Sequence, residues 1–373
     1  MKEPWIRVVK KAELGKRETL ILRLEAIVLA LVAGGFFILL IGQNPFVIYQ
    51  TIVTGALRSE MAIQATVKIM IPLLIASLGV TLAFKMKFWN IGAEGQILMG
   101  GTATAAMMIY FGDKMPNWLL LIVIFVVSGL AGLIWGVMFL AGAIGGGLWG
   151  LIPAWFKTRY DTNETLFTLM LNYIALNVIV FLREGAWRDP GSQGYAKIAR
   201  FNKNAALDKV FGIQFGWVIA LILVVVIAVY LNRSKQGYEI SVVGESQETA
   251  RYAGMNVKKV VLRTMFLSGA VCGIGGMVQA TGSDVTLTTA VAGGVGFTAI
   301  IVAWLAQLNP PVILLVTFLF SVLEKGSSVV QSSFGLSSDC ADVLQGIILF
   351  FILGCELFIR YQFVFHGKGG TRA

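Results

Sequence analysis

Apolar residues in this chain neither alternate nor keep to one helical face. They run on. Apolar stretches fall at 24–42, 62–84, 97–111, 118–140, 163–182, 213–231, 264–282, 292–308, 310–324 and 341–360. A helix of about 20 apolar residues crosses the hydrocarbon core of a bilayer. The pattern therefore predicts an all-α fold, a polytopic membrane helix bundle of about ten transmembrane or re-entrant helices. Segment 97–111 is short, and 292–308 opens Gly-rich. Gly142–Phe156 opens with Gly145, Gly146 and Gly147 and carries Pro153. It and Asn44–Leu57 are expected as half-helices or interfacial helices.

The polar remainder divides the chain into a segment 1–23, a membrane domain 24–360 and a tail 361–373. The two longest polar stretches are 183–211 and 232–263. Ten spans put both ends on one side. On that count 20 Lys and Arg lie on the side of the termini and 9 on the other, with Lys68 inside a span. Basic residues collect on the cytoplasmic side, so both termini and 232–263 are expected inside. Loop 183–211 is expected outside despite six basic residues, because long loops cross regardless of charge.

Composition agrees. Charged residues are 13% and apolar residues 57%, against about 25% charged in soluble domains. The net charge of +10 follows from basic flanks of membrane spans and does not call for nucleic acid as a partner. Cys272, Cys340 and Cys355 lie in or beside apolar runs without CxxC spacing, and the lone His366 is in the polar tail, so no metal site is expected. No G-x-x-x-x-G-K-[ST], HExxH or GxSxG occurs. The chain carries no phosphate-cradling loop of its own. If energy drives this protein, it comes from another subunit or from an ion gradient. An intramembrane enzyme would show clustered His, Asp or Cys, which this chain lacks.

Residues 88–96 read F-W-N-I-G-A-E-G-Q between two apolar runs. A non-helical backbone in lipid survives only inside protein or beside water. Glu94 facing hydrocarbon would be costly, and a helix starting at Gln96 would offer free N–H groups to a polar ligand. The stretch reads either as a broken helix of the kind found at mid-membrane transport sites or as a short cytoplasmic loop after Lys85 and Lys87. Residues 290–298, A-V-A-G-G-V-G-F-T, have similar character in the second half, which hints at an internal repeat. Asn172 is either a helix–helix hydrogen bond or a substrate contact. Trp89 is either an interfacial anchor or a stacking surface. Ser246–Tyr252 favours a short helix stopped by Gly254.

Four stretches together carry a resemblance: N-I-G-A-E-G-Q (90–96), T-L-M-L-N-Y (168–173), V-G-E-S-Q-E-T-A-R-Y-A-G (243–254) and G-V-G-F-T-A-I-I-V-A-W-L-A-Q-L-N-P (294–310). From about 60 to 350 the chain resembles the permease subunits of bacterial ABC importers, in the branch for simple sugars, nucleosides and branched-chain amino acids, and nucleoside-type permeases above all. The resemblance implies a permease of the bacterial inner membrane working by alternating access. Its partners would be a cytoplasmic ATPase that binds ATP and Mg, a second permease subunit as a heterodimer, and an extracytoplasmic solute-binding protein. The permease itself would bind no cofactor. ATPase coupling would fall to Gly244, Glu245, Ala250, Arg251, Tyr252 and Gly254, although Glu245, Gln247 and Thr249 depart from the usual pattern. Trp89, Asn90, Glu94, Gln96, Asn172, Phe297 and Thr298 would line or brace the substrate pathway, with a nucleoside as solute. Riboflavin, a sugar or branched-chain amino acids are alternative solutes. An ion-coupled secondary transporter is the alternative from another class.

Overall fold

A computed structural model describes residues 6–10, 16–111, 132–201, 206–336, 343–344, 346–347, 350–351, 354 and 361–365. Twelve helices are laid out below for these residues. They are α1 (Lys16–Leu40), α2 (Pro45–Leu57), α3 (Glu60–Lys85), α4 (Ala93–Phe111), α5 (Gly132–Tyr160), α6 (Glu164–Glu184), α7 (Gly216–Arg233), α8 (Lys235–Glu245), α9 (Gln247–Tyr252), α10 (Val257–Val278), α11 (Val295–Leu305) and α12 (Pro310–Phe334). Four short strands accompany them: β1 (Ile6–Lys10), β2 (Lys209–Val210), β3 (Ile213–Gln214) and β4 (Tyr361–Phe365). Two compact units divide the chain, one of Met1–Ala62 with Val322–Ala373 and one of Ile63–Ser321.

The bundle is all-α and multi-pass, but with fewer spans than ten. Among the described residues six helices are long and apolar enough to cross, or seven if α1 and α2, bent by 112° at their break, count as one broken span. Segment 97–111 lies on the 19-residue α4, which is not one of the six, because its first turn carries Glu94 and Gln96, and Gly100, Gly101, Thr102 and Thr104 dilute the rest. Segment 292–308 shrinks to the 11-residue α11, about 16 Å of helix and half a span. Gly142–Phe156 is no half-helix: it belongs to the unbroken 29-residue α5, with Pro153 inside it. Most of 118–140 and of 341–360, with Cys340, Cys355 and His366, lies outside the described residues.

In the smaller unit, β1 pairs antiparallel with β4, Val8 opposite Phe363. This pairing is compatible with the expected topology in which both ends share a side. The bend after α1 is built by Asn44, whose side chain accepts from the Phe46 N–H at 3.0 Å, with Pro45 as the first helical residue. Such a Pro loses nothing, since its missing N–H would have had no helical partner. Ile38, Ile48, Ile52, Val330 and Leu344 form the core of this unit.

The larger unit is organised by backbone contact between α4, α5 and α10. Small residues let membrane helices approach closely. Gly273 of α10 is so tight that an added Cβ would lie 2.9 Å from the Gly146 Cα and 3.0 Å from the Gly142 carbonyl carbon of α5. Gly142, Gly146 and Gly150 recur every four residues and so share one face of α5. The glycines read as a helix break in the sequence are a packing face instead. Hydroxyls on buried faces bond back to their own helices: Ser77 to the Leu73 carbonyl and Thr81 to the Ser77 carbonyl, each at 2.7 Å. Each of these two hydroxyls therefore has its partner within its own helix.

Cysteines placed at Val8 and Phe363 are expected to cross-link under mild oxidation in intact membranes; absence of the bond would remove the topology in which both ends share a side. Gly273→Ala is expected to lower stability in detergent by about 1–3 kcal/mol through overpacking, read as the thermal unfolding midpoint. Gly275→Ala, whose Cβ meets Ile75 at an ordinary 3.5 Å, is expected to leave that midpoint unchanged.

Candidate functional site

Helix α3 ends in a Schellman turn. The Phe88 N–H donates to the Ala83 carbonyl at 3.1 Å and the Lys87 N–H to the Phe84 carbonyl at 2.9 Å, with Lys87 in the left-handed region at φ 57°. The chain then leaves helical geometry until Ala93. Three helices, α4, α6 and α10, supply side chains to this stretch. The Asn90 amide oxygen accepts from the Gly92 N–H at 3.0 Å and from Gln96 Nε2 at 3.3 Å. Asn90 Nδ2 donates to Gln96 Oε1 and to Ser268 Oγ, each at 3.2 Å, and Ser268 Oγ donates to the Gly79 carbonyl at 2.7 Å. From α6, Asn172 Oδ1 accepts from the Gly95 N–H at 2.8 Å while its Nδ2 donates to the Ile91 carbonyl at 3.0 Å. Thr168 Oγ1 accepts from the Ile91 N–H at 3.2 Å. Asn90, Gln96 and Asn172 are all buried, and each buried polar group left unmatched would cost about 1–3 kcal/mol.

Glu94 points the other way. Its two carboxylate oxygens accept from the Gly294 and Gly296 N–H groups, each at 2.8 Å. These are the first free donors of α11, where the helix dipole favours an anion. Gly294 itself sits at φ 83°, and a Cβ at Gly296 would lie 2.6 Å from the Glu94 Cα. The G-G-V-G of 293–296 is thus what lets a carboxylate cap this helix. The two Gly-rich stretches read separately in the sequence meet here.

At the other end of α11, Trp304 stacks on Trp89 with ring centroids 5.7 Å apart and planes at 27°, and Phe84 closes the cluster at 5.6 and 5.8 Å. Trp89 remains half-exposed, as does Phe297 in the first turn of α11. Thr298 Oγ1 bonds no closer than 3.5 Å, to the Gly294 carbonyl. Seven positions separate Phe297 from Trp304, about 10 Å of helix rise. Thr168, Ser268 and Trp304 were not singled out from the sequence. Nothing in a lone hydroxyl or aromatic within an apolar run distinguishes it before its neighbours are known.

The expected short helix is present as α9. Ser246 caps it by accepting from the Thr249 N–H at 3.2 Å, and Gly254 ends it at φ 76°. Ala250 faces inward, while Arg251 and Tyr252 face out, Tyr252 being 93% exposed. The preceding α8, unforeseen in the sequence, is pinned by Arg263 to Glu239 at 2.9 Å and lies against the end of α3. Gly244 is buried on the Lys85 carbonyl, where no Cβ fits, and Lys87 approaches Glu245 at 4.0 Å. Nearby, between α5 and α6, Lys157 hydrogen-bonds Asp161 at 2.8 Å and holds its carboxyl below the ordinary range. At the opposite end of the helices, residues 183–201 pack on 285–289. Phe201 N–H donates to the Val285 carbonyl at 2.9 Å, and Arg183, Asp189, Lys197 and Arg200 line a cleft there.

Comparison with known proteins adds what geometry does not. Residues 61–353 match the family model described as Branched-chain amino acid transport system / permease component. The chain is similar to the glucose ABC transporter permease protein TsgB13 of Haloferax volcanii, with 30% identity covering 89% of this chain and 87% of that one. It is similar to the guanosine ABC transporter permease protein NupP of Bacillus subtilis, with 28% identity covering 89% and 92%. The nucleoside ABC transporter permease protein NupB of Lactococcus lactis is 28% identical, covering 90% and 91%.

Asn172→Ala strands the Gly95 N–H and the Ile91 carbonyl together. It is expected to lower stability by about 2–6 kcal/mol, the cost of two unmatched buried groups at about 1–3 kcal/mol each. Asn177→Ala, which loses one exposed bond to the Tyr173 carbonyl, is expected to stay within about 0.5 kcal/mol of the parent. Thermal unfolding in detergent compares the two.

Proposed function

The chain belongs to the Branched-chain amino acid transport system / permease component family, as the non-catalytic membrane subunit of an ABC importer for a small polar solute, and we propose that this solute is a nucleoside. The motor is a separate cytoplasmic ATPase that docks on α9. A second, similar permease completes the pathway, and an extracytoplasmic binding protein delivers solute to the face formed by 183–201 and 285–289. Both termini lie in the cytoplasm, as the distribution of Lys and Arg favours.

The observation that carries the ATP-driven reading is the coupling end. A six-residue polar helix with Gln247, Glu248, Thr249, Arg251 and Tyr252 turned outward buries only Ala250. So small a helix gains little from burial by itself, and its outward face is suited to a partner. An ion-coupled transporter has no use for such a face. Two of the three relatives compared are named for guanosine or nucleoside transport, which supports the nucleoside reading. Glu94 supports a neutral solute. In transporters with broken helices a half-helix N-terminus receives an anionic substrate group, and here the protein's own carboxylate holds it. A branched-chain amino acid would have to compete with that carboxylate, whereas a nucleoside would not. Phe297 offers a ring face and Thr298 a hydroxyl in the first turn of the same helix, with Asn90, Gln96 and Asn172 bracing the wall behind Glu94. A sugar is the second reading, favoured by the 30% identity to a glucose permease.

Tyr252→Ala removes the largest exposed side chain of α9 and is expected to weaken ATPase docking by about 2 kcal/mol or more, as for an aromatic hot spot, measured by titrating the purified ATPase onto the reconstituted permease. Undiminished docking would count against α9 as the coupling helix. Calorimetry of the companion binding protein with inosine, glucose and leucine tests the solute; heat with leucine alone would overturn the neutral-solute reading.

A further inference from the structure

We propose that residues 86–94, the connection between α3 and α4, are a strut that carries a displacement of α8 and α9 to the half-helix α11, with Glu94 as the positioning residue at its far end. The proposal rests on the ATP-driven reading above and adds the residues through which the stroke travels inward.

The inner end of the strut is in contact with the coupling end. Gly244, at the close of α8, is seated on the Lys85 carbonyl without room for a side chain, and Lys87 faces Glu245 at 4.0 Å. A movement of the α8–α9 corner toward the membrane therefore meets the end of α3 and the start of the connection directly. The far end holds α11 twice. Trp89 stacks on Trp304 in its last turn, and the Glu94 carboxylate grips Gly294 and Gly296 at its first. The strut thus runs beside α11 for its whole length.

A connection without regular structure transmits nothing if it bends. This one has little freedom to bend. Met86, Phe88 and Asn90 are buried. The backbone of Ile91, Gly92 and Gly95 is held by the side chains of Thr168, Asn90 and Asn172. In contrast, α11 is bounded by backbone suited to hinges. Gly293 and Gly294 precede it at φ 53° and 83°, and Gln307 and Leu308 follow it at φ 52° and 56°. The covalent route from α9 through α10 leads instead into the glycine-packed core with α4 and α5, and close-packed interiors do not deform continuously. A short rigid helix between hinges, held at both ends by one braced segment, is the kind of discrete element that coupling between distant sites requires.

The test uses the permease with its own ATPase in vesicles and needs no knowledge of the solute. In a background with Cys340 and Cys355 replaced by Ser, Cys272 being fully buried, single cysteines are placed at Phe297 on α11 or at Glu248 on α9. Maleimide labelling rates are compared with and without ATP plus vanadate. The F297C rate is expected to change by about fivefold or more, the lower end of ordinary allosteric couplings. Adding Glu94→Gln, or Trp89→Ala if that complex does not assemble, is expected to abolish this change while E248C responds as before. A response at E248C with none at F297C, or an F297C response untouched by both substitutions, overturns the strut. No response at either position in the unaltered background instead overturns the ATP-driven reading on which it rests.

Discussion

A backbone that leaves helical geometry inside a bilayer must find its hydrogen-bond partners within the protein. In this chain that constraint is met where Glu94 closes on the N-terminus of α11. Two helix breaks, one before α4 and one before α11, each present unmatched groups. The carboxylate joins them, so that the ion is matched by two N–H donors and those donors by the ion. Around it Asn90, Gln96, Asn172, Thr168 and Ser268 complete the pairing of the first break. Charge-assisted bonds of this kind are about twice as strong as neutral ones, and in a low-dielectric setting they are demanding about geometry.

That geometry is only available because the helices behind it come close. Gly273, Gly142 and Gly146 bring α10 and α5 to backbone contact, and Gly276 and Gly100 place α4 against α10. The stem of the bundle is therefore a rigid block in which the position of residue 90 is set by α10 through Ser268 and those of residues 91 and 95 by α6 through Asn172. Outside this block, α11 is short, flanked by left-handed residues and anchored through a carboxylate and an aromatic stack. The contrast between a fixed block and a hinged half-helix fits a protein that moves a solute without chemistry of its own. The segment 232–263 has the complementary form: α8 is pinned to α10 by Glu239 and Arg263, while α9 turns its polar face outward.

Much of this was legible in the sequence, and the reasons are physical. Uninterrupted apolar runs have one stable solution in lipid, so the membrane-helix class and most of the long helices follow from composition alone. The N-I-G-A-E-G-Q interruption marks the end of regular helix, as a broken helix or a short loop alike, because small and ionisable residues at that spacing are too costly for a lipid-facing helix. Ser246 and Gly254 mark the ends of α9 because capping is local chemistry. Only tertiary structure decided the rest. The glycines of α5 read as a break until α10 is laid against them, since a Gly that packs and a Gly that bends are the same residue. Glu94 was recognisable as buried, but its partners lie 200 residues away, and no periodicity relates a carboxylate to two distant N–H groups. Local sequence determines where a helix can stop, but whether it does stop inside a membrane depends on what another part of the chain supplies to its exposed end.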